Sequence, residues 1–221
     1  MCAILGAYLD RPSSSQLLTL KRIFLESQVR GRHATGFTVL LDGKLWTHKQ
    51  PVPAEEFVET VDWVTLKNLN TLALIGHCRY STSDLQYNQP IQHSDELSLV
   101  HNGVVTQDPP EQWGRFGYDL ETSNDSELLW RSVSAGKEPL QEFPDASLAV
   151  AELNSSGQFR WYRNGKRPLY HTKVKNGYFL TSTRDIAERS GLKGSVLSLP
   201  GVLYTPEGEA KIVKTPELIA C

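Results

Sequence analysis

Residue 2 of the chain is a cysteine that directly follows the initiator methionine. We expect Met1 to be removed because the side chain of Cys2 is small, and Cys2 would then be the first residue. Its α-amine would have a pKa of about 7.7 to 8.0, much nearer neutrality than a lysine at about 10.4. One residue would thus supply a thiol nucleophile and a base. The alternative, which Cys2 taken alone favours, is a small hydrophobic side chain in a core strand.

A cluster of polar groups ends the apolar segment that contains Cys78. On a strand, His77 and Arg79 share one face and Cys78 lies on the other. The Arg79 guanidinium can hold a carboxylate through two parallel hydrogen bonds, with the hydroxyls of Ser81 and Thr82 as supporting donors. The alternative is an ordinary surface ion pair.

His101, Asn102 and Gly103 close another strand-like segment. The Asn102 amide and the backbone N–H of Gly103 are two donors that can converge on one point, as a developing oxyanion requires. Asn-Gly is also among the strongest turn signals, so a plain turn is the alternative.

An acidic residue, Asp125, stands where a helix is predicted to begin. Its carboxylate could bind an ammonium group. Acidic residues at a helix start commonly accept hydrogen bonds from the first backbone N–H groups, so helix capping is the alternative.

The loop from Arg30 to Gly36 contains two glycines, Gly31 and Gly36. Glycines allow a backbone to approach another strand or a ligand closely, and Arg30 could form a hydrogen bond near the start of the chain. A polar connecting loop explains the segment equally well.

Metal-ligand atoms are present in a small group of histidines and one cysteine: His77, Cys78, His93 and His101. Their spacing matches no common zinc pattern, and His77 and Cys78 point to opposite faces of a strand. We therefore predict neither a metal site nor a cofactor.

The elements that must position these groups are mostly strands joined by tight turns. Asp42-Gly43 predicts a hairpin between 35–41 and 44–48, because glycine tolerates the positive φ of such a turn. Helices are predicted at about 16–29, 55–61, 125–133 and 184–190. Further strands are predicted at 1–9, 72–80, 97–101, 146–153, 158–162, 170–174, 178–183 and 202–213. Hairpins outnumber βαβ units, so one α+β domain with antiparallel sheets is predicted over 1–221.

Composition narrows the class of protein. The 221 residues carry a formal net charge of -2, with 22% charged and 39% hydrophobic residues, as in a globular chain. Such a balance argues against nucleic-acid or membrane partners and favours a small neutral or zwitterionic one. The apolar start lacks a basic leader and breaks at Asp10, so neither a signal peptide nor a membrane span is predicted. Three widely spaced cysteines predict a reducing, cytoplasmic location.

Taken in order, these segments resemble class II glutamine amidotransferase domains, which belong to the N-terminal-nucleophile hydrolases. The resemblance extends over nearly the whole chain. The segments that carry it are Cys2 to Gly6, Arg30-Gly31 with Gly36, Gly76 to Thr82, Asn88-Gln89-Pro90, His101 to Gly103, Asn124 to Glu127, Arg163 to Leu169 and Leu199 to Gly201.

The resemblance implies a four-layer αββα sandwich, in which two antiparallel sheets are flanked by helices. It also implies that Cys2 attacks the side-chain amide of L-glutamine while its α-amine shuttles protons. Asn102 and the Gly103 N–H would stabilise the oxyanion, and the products would be glutamate and ammonia.

The same resemblance assigns the substrate-binding residues. Arg79, helped by Thr82, would hold the α-carboxylate of glutamine, and Asp125 would hold its α-ammonium. Arg30 is assigned to this binding group as well.

Domains of this family commonly precede a synthase domain that uses the ammonia, and this chain stops about where the glutaminase part is expected to end. We therefore expect ammonia to pass to an unidentified acceptor or to a separate synthase subunit. The alternatives are a stand-alone amidohydrolase that acts on another γ-glutamyl amide, and a catalytically inactive interaction protein of the same fold.

Overall fold

The computed structural model describes residues 2–80 and 88–211, which form two antiparallel sheets. In spatial order, with strands numbered along the chain, the first sheet contains β10 (Val196–Leu197), β8 (Tyr170–Val174), β9 (Gly177–Thr181), β1 (Ala3–Asp10), β4 (Thr71–Arg79), β2 (Ala34–Leu41) and β3 (Lys44–Gln50). The second sheet contains β12 (Gly208–Lys211), β11 (Val202–Thr205), β7 (Phe159–Arg163), β6 (Ala149–Asn154) and β5 (Leu97–His101).

Helices cover the outer face of each sheet. The first sheet packs against α1 (Ser14–Ser27), α2 (Ala54–Phe57), α3 (Trp63–Lys67) and α6 (Arg184–Arg189). The second sheet packs against α4 (Ser126–Ser134) and α5 (Pro139–Glu142). Short 3-10 helices lie at Val58–Thr60 and at Pro110–Phe116. A third apolar cluster, here called the inter-sheet core, lies between the two sheets. This arrangement confirms the predicted αββα sandwich.

Strand β1 shows why its sequence is apolar at almost every position. Ala3, Leu5 and Ala7 pack beneath α1, whereas Ile4 enters the inter-sheet core. Because both faces of the strand are buried, polar and apolar residues do not alternate. Tertiary packing thus requires the continuous apolar run.

The Asp42-Gly43 hairpin is confirmed, with φ of 50° and 76° at its two turn residues. Helix α1 begins earlier than predicted, because Ser13 forms a capping box with Gln16. The β-rich segment predicted at 202–213 carries a turn signal at Glu207-Gly208, and its described residues form the hairpin of β11 and β12. The sequence analysis missed α3, α5 and β10, which are too short to show a period. In the parts of the chain described above, no helix is long and apolar enough to cross a membrane.

Candidate active site

Cys2 lies directly before β1, and continuing the register of β1 with β4 brings it opposite Arg79. Its thiol donates to the carbonyl oxygen of Tyr80, with an Sγ–O distance of 3.7 Å. Burial raises the pKa of the Cys2 thiol, and the positive charges of Arg79 and Arg30 act in the opposite direction. A thiol with a raised pKa is protonated at neutral pH, so it needs a base to become a nucleophile.

The loop after α1 reaches the same end of the first sheet. Arg30 donates from Nε to the carbonyl oxygen of Cys2 at 2.9 Å, which confirms the predicted contact near the chain start. Gly31 packs directly on β4, because a Cβ atom there would come within 2.3 Å of the Arg79 carbonyl carbon. The glycine therefore permits the close approach predicted from the sequence. The assignment of Arg30 to substrate binding stays a prediction.

Arg79 is buried at the end of β4, and its Nη1 donates to Oδ1 of Asn88 at 2.8 Å. The Lys49 ammonium donates to the carbonyl oxygen of Asn88, also at 2.8 Å. Burial and the charge of Arg79 lower the pKa of Lys49. Two cations in one region favour an anionic group such as a carboxylate. Thr82, predicted to assist Arg79, lies outside the described residues.

A cavity of about 170 Å³ adjoins this region. It is lined by Lys49, Asn88, Ile91, Gln92, His93, Thr122 and Asn124. Of these residues, Asn88 accepts a hydrogen bond from Arg79, and Asn124 precedes Asp125 in the chain. Through Asn88 the cavity lies next to Arg79, the group predicted to bind the carboxylate of an amino acid.

Asn102 continues the ladder of β5 with β6 by exchanging two hydrogen bonds with Ala149, at 2.9 and 3.2 Å. Its side chain is 4% exposed, and no described residue accepts a hydrogen bond from its Nδ2 atom. A Cβ atom at Gly103 would lie 1.7 Å from the carbonyl oxygen of Ser147, so only glycine fits there. The segment thus requires glycine at position 103, as a turn often does, and it also offers the Asn102 amide as a donor.

His101 points away from the inter-sheet core, towards α4. Its Nδ1 lies 2.8 Å from Oγ of Ser126, and its Nε2 lies 3.0 Å from the carbonyl oxygen of Ser147. Because a carbonyl oxygen only accepts, Nε2 carries the proton and Nδ1 accepts from the serine. Burial lowers the pKa of His101, which favours this neutral form. His101 thereby anchors the segment that carries Asn102.

Asp125 lies directly before α4, in the N-cap position, but its side chain does not cap the helix. Its backbone is already helical, and its side chain makes no cap hydrogen bond. Oδ2 instead accepts from the backbone N–H of Val105 at 2.6 Å, while Oδ1 of Asn124 accepts from the N–H of Ser126 at 3.1 Å. The capping interpretation is therefore wrong for Asp125, whose carboxylate contacts the chain just after Gly103.

The predicted catalytic and carboxylate-binding groups share one orientation. Alternation along β4 turns Arg79 towards the inter-sheet core, and alternation along β5 turns Asn102 towards it as well. Cys2 falls on the same side by the alternation of β1. Groups far apart in the sequence thus face the same space between the two sheets.

The sequence is similar to those of two curated enzymes. No protein-family model matches this sequence. In an alignment 244 positions long, the chain is 30% identical to the amidophosphoribosyltransferase of Pyrococcus horikoshii, with 100% of this chain and 51% of that protein covered. It is 26% identical over 153 residues to the isomerizing glutamine–fructose-6-phosphate aminotransferase of Chlamydia trachomatis, covering 65% of this chain and 24% of that protein. The chain matches a class II glutamine amidotransferase domain. It spans about half the length, or less, of these curated relatives.

Solved structures agree with this fold. The glutamine phosphoribosylpyrophosphate amidotransferase of B. subtilis superposes with a TM-score of 0.73 at 20% identity, over 97% of this chain and 50% of that one. A glutamine aminotransferase class-II domain protein of Silicibacter pomeroyi gives a TM-score of 0.57 at 14% identity, over 94% of this chain and 97% of that one. At these identities the likeness concerns the fold.

Sequence analysis missed the residues that support the site in this amidotransferase domain. Gln89 accepts from the backbone N–H of His101 at 2.6 Å and donates to Ser126 at 3.3 Å. Asn88 binds Arg79, and Asn88-Gln89-Pro90 was the only signal that singled these residues out. Side-chain pairs between distant segments leave no local pattern, so the resemblance alone could indicate them.

Cys78 and His93, two of the residues considered above as carriers of metal-ligand atoms, have different surroundings. Cys78 faces α1, where its thiol donates to the carbonyl oxygen of Phe24 at 3.8 Å, and burial raises its pKa to about 12. His93 instead lies beside two carboxylates, 3.3 Å from Glu121 and 3.6 Å from Glu127. Glu127 already accepts from two backbone N–H groups, so its carboxylate is engaged in hydrogen bonds within the chain.

Proposed function

We propose that this chain hydrolyses the side-chain amide of L-glutamine to glutamate and ammonia, with Cys2 as the nucleophile. One observation carries the proposal. Cys2 lies opposite Arg79 at the end of the inter-sheet space, where Asn102 keeps a buried Nδ2 that no described residue accepts from. A buried donor without an acceptor costs stability, so an acceptor that arrives with the reaction explains its presence.

The first half of the reaction uses two groups of Cys2. Its sulfur attacks the amide carbon, while the thiol proton passes to the α-amine that removal of Met1 exposes. The amine then protonates the leaving nitrogen, ammonia departs and a thioester remains. Because burial raises the pKa of the thiol, a base within the same residue is needed near neutral pH. The bond from Arg30 to the Cys2 carbonyl holds this residue in place.

The second half of the reaction returns the free enzyme. Water attacks the thioester carbon while one of its protons passes to the α-amine. The C–S bond then breaks, glutamate is released, and the α-amine gives that proton to the sulfur. In both halves the tetrahedral oxyanion would accept hydrogen bonds from Asn102 Nδ2 and the Gly103 N–H. Each such donor contributes on the order of 3 kcal/mol to stabilisation of the transition state.

Substrate recognition would use the opposite charges of one amino acid. Arg79, held by Asn88, would bind the α-carboxylate, with Thr82 as a supporting donor. Asp125 would bind the α-ammonium. A carboxylate has about four lone-pair sites, so its bond to Val105 leaves capacity for that cation.

A separate part of the proposal concerns the site that receives the ammonia. The amidophosphoribosyltransferase and the aminotransferase are both longer than this chain. We propose that ammonia passes to an acceptor site outside the residues described here, on a synthase partner.

Ammonia and glutamate release from L-glutamine, together with intact mass, tests the proposal. The active protein should lack Met1, and Cys2→Ala should abolish turnover. Cys78→Ala is the matched control, because that thiol is buried on the opposite face of β4, and this variant should retain activity.

Four outcomes would contradict this assignment. Substantial turnover by Cys2→Ala would show that Cys2 is not the nucleophile. An active preparation in which every molecule retains Met1 would show that the α-amine of Cys2 is not the base. Activity only on other γ-glutamyl amides would favour the stand-alone amidohydrolase. The catalytically inactive interaction protein would be favoured if the folded protein lacks Met1 and hydrolyses no amide even with a synthase present.

A further inference from the structure

His77 is a buried histidine near the end of β4, which lies between β1 and β2 in the first sheet. It pairs with Ile4 on one side and Gly36 on the other, and its side chain is 1% exposed. The alternation that turns Arg79 towards the inter-sheet core also turns the imidazole there. Neither ring nitrogen has a hydrogen-bond partner within residues 2–80 and 88–211.

Such a histidine is unusual in physical terms. Buried polar groups almost always bond to protein or to ordered water, and a neutral imidazole offers one N–H donor and one acceptor. Burial and the charge of Arg79 lower the pKa of His77 to about 3, so the ring is neutral at ordinary pH. An apolar side chain of the same shape would be at least as stable here unless a small ligand binds to the ring.

A second unpartnered group lies across the same space. The His101 backbone is near enough to the His77 ring to favour its protonated form, although no hydrogen bond of ordinary geometry joins them. The next residue is Asn102, whose buried Nδ2 also has no acceptor in the described part of the chain. His77 on the first sheet and Asn102 on the second therefore bring unsatisfied polar atoms into one enclosed region.

We propose that a single water molecule bridges His77 and Asn102, and that His77 is thereby a positioning residue for the oxyanion donor. With its N–H directed at the His101 backbone, the ring accepts a hydrogen bond from the water through its other nitrogen. The water in turn accepts from one hydrogen of Asn102 Nδ2. Buried waters typically have two to four polar partners, which this region supplies.

The bridge would fix the direction of the Asn102 carboxamide. One Nδ2 hydrogen goes to the water, so the other is aimed at the oxyanion. A carboxamide rotated by half a turn would direct Oδ1 at the developing negative charge and oppose the reaction. This role rests on the proposed glutaminase function, whereas the water site itself does not.

Kinetics of His77 variants test the positioning role. His77→Phe should lower kcat for L-glutamine about tenfold with KM within about twofold, because one positioning hydrogen bond is lost. His77→Gln, which keeps an acceptor for the water, should recover part of that loss. Trp161→Phe is the matched control, since Trp161 is 1% exposed in the same core and its Nε1 is also unpartnered among the described residues. Its kcat should equal that of the wild type.

Two kinetic results would overturn the proposal. If the His77→Phe enzyme folds and has wild-type kcat, His77 does not position the donor. If Trp161→Phe lowers kcat as much as His77→Phe does, the effect is one of general packing. His77→Ala and His77→Leu replace His77→Phe if that variant does not fold. Wild-type kcat and KM in either of these folded enzymes would equally refute the proposal.

A high-resolution crystal structure of the wild-type protein provides a readout independent of activity. We expect a water within hydrogen-bond distance of the His77 ring and Asn102 Nδ2, and an empty position there would refute the bridge. A protein with this water but no glutaminase activity would mean that the proposed function alone has failed.

Discussion

Replacing Asp125 with asparagine tests whether its carboxylate reads the α-ammonium of glutamine. Asp125→Asn keeps the shape of the side chain and an oxygen that can accept from Val105, a bond of 2.6 Å in the structure. The variant loses only the negative charge. A hydrogen bond to a charged group contributes about 1.5 to 3 kcal/mol, so KM for L-glutamine should rise about 10- to 100-fold.

The assay compares L-glutamine with an analogue whose α-amine is acetylated. The wild-type enzyme should hydrolyse the blocked analogue poorly, whereas Asp125→Asn should discriminate far less between the two substrates. Because Asp125 does not cap α4, its replacement should leave the melting temperature nearly unchanged.

Asp62 provides a matched control, because its carboxylate does cap a helix. It accepts from the backbone N–H groups of Val64 and Thr65 at the start of α3, at 3.1 and 3.0 Å. Asp62→Ala should lower the melting temperature and leave KM unchanged. The reasoning is refuted if wild-type enzyme accepts the blocked analogue as well as glutamine, or if Asp125→Asn changes the melting temperature but not KM.

Other predictions follow from the same geometry. Asn102→Ala should lower kcat a hundredfold or more, a loss of about 3 kcal/mol, and raise KM less; steady-state kinetics that show mainly a KM effect would contradict the oxyanion role. Arg79→Lys should raise KM despite its conserved charge, because a lysine cannot form two aligned bonds to a carboxylate; an unchanged KM would contradict this. Gly103→Ala should destabilise the protein and abolish activity, since the new Cβ would lie 1.7 Å from the Ser147 carbonyl oxygen; denaturant unfolding checks the first effect and turnover the second. The pKa of His77 is about 3 in the folded state and about 6.5 unfolded, so the unfolded chain binds more protons and stability should fall as pH drops from about 6.5 towards 3; denaturant titrations at several pH values should show a flatter fall in His77→Phe.

Local sequence determined much of the framework. The apolar run after Cys2 predicted a buried strand, and Asp42-Gly43 predicted the hairpin because glycine accepts the positive φ that the turn requires. The segments 97–101 and 170–174 were predicted with the bounds that β5 and β8 have. Propensity and periodicity act over a few residues, so one sequence is enough to reveal them.

The chemistry of individual residues was also open to prediction, but only as alternatives. Asn102-Gly103 indicated either an oxyanion site or a turn, and Asp125 indicated either an ammonium ligand or a helix cap. The order of the segments, through their resemblance to a family, chose among these alternatives. The structure then removed capping as an explanation for Asp125, because its carboxylate reaches Val105 instead.

Only the tertiary structure decided which groups meet. Cys2 and Arg79 are adjacent because β1 and β4 pair antiparallel, and Asn102 lies across from His77 because the second sheet packs on the first. That neither His77 ring nitrogen has a hydrogen-bond partner among the described residues is likewise invisible in the sequence. These relations join residues tens of positions apart, and they depend on register and sheet packing, which no local pattern encodes.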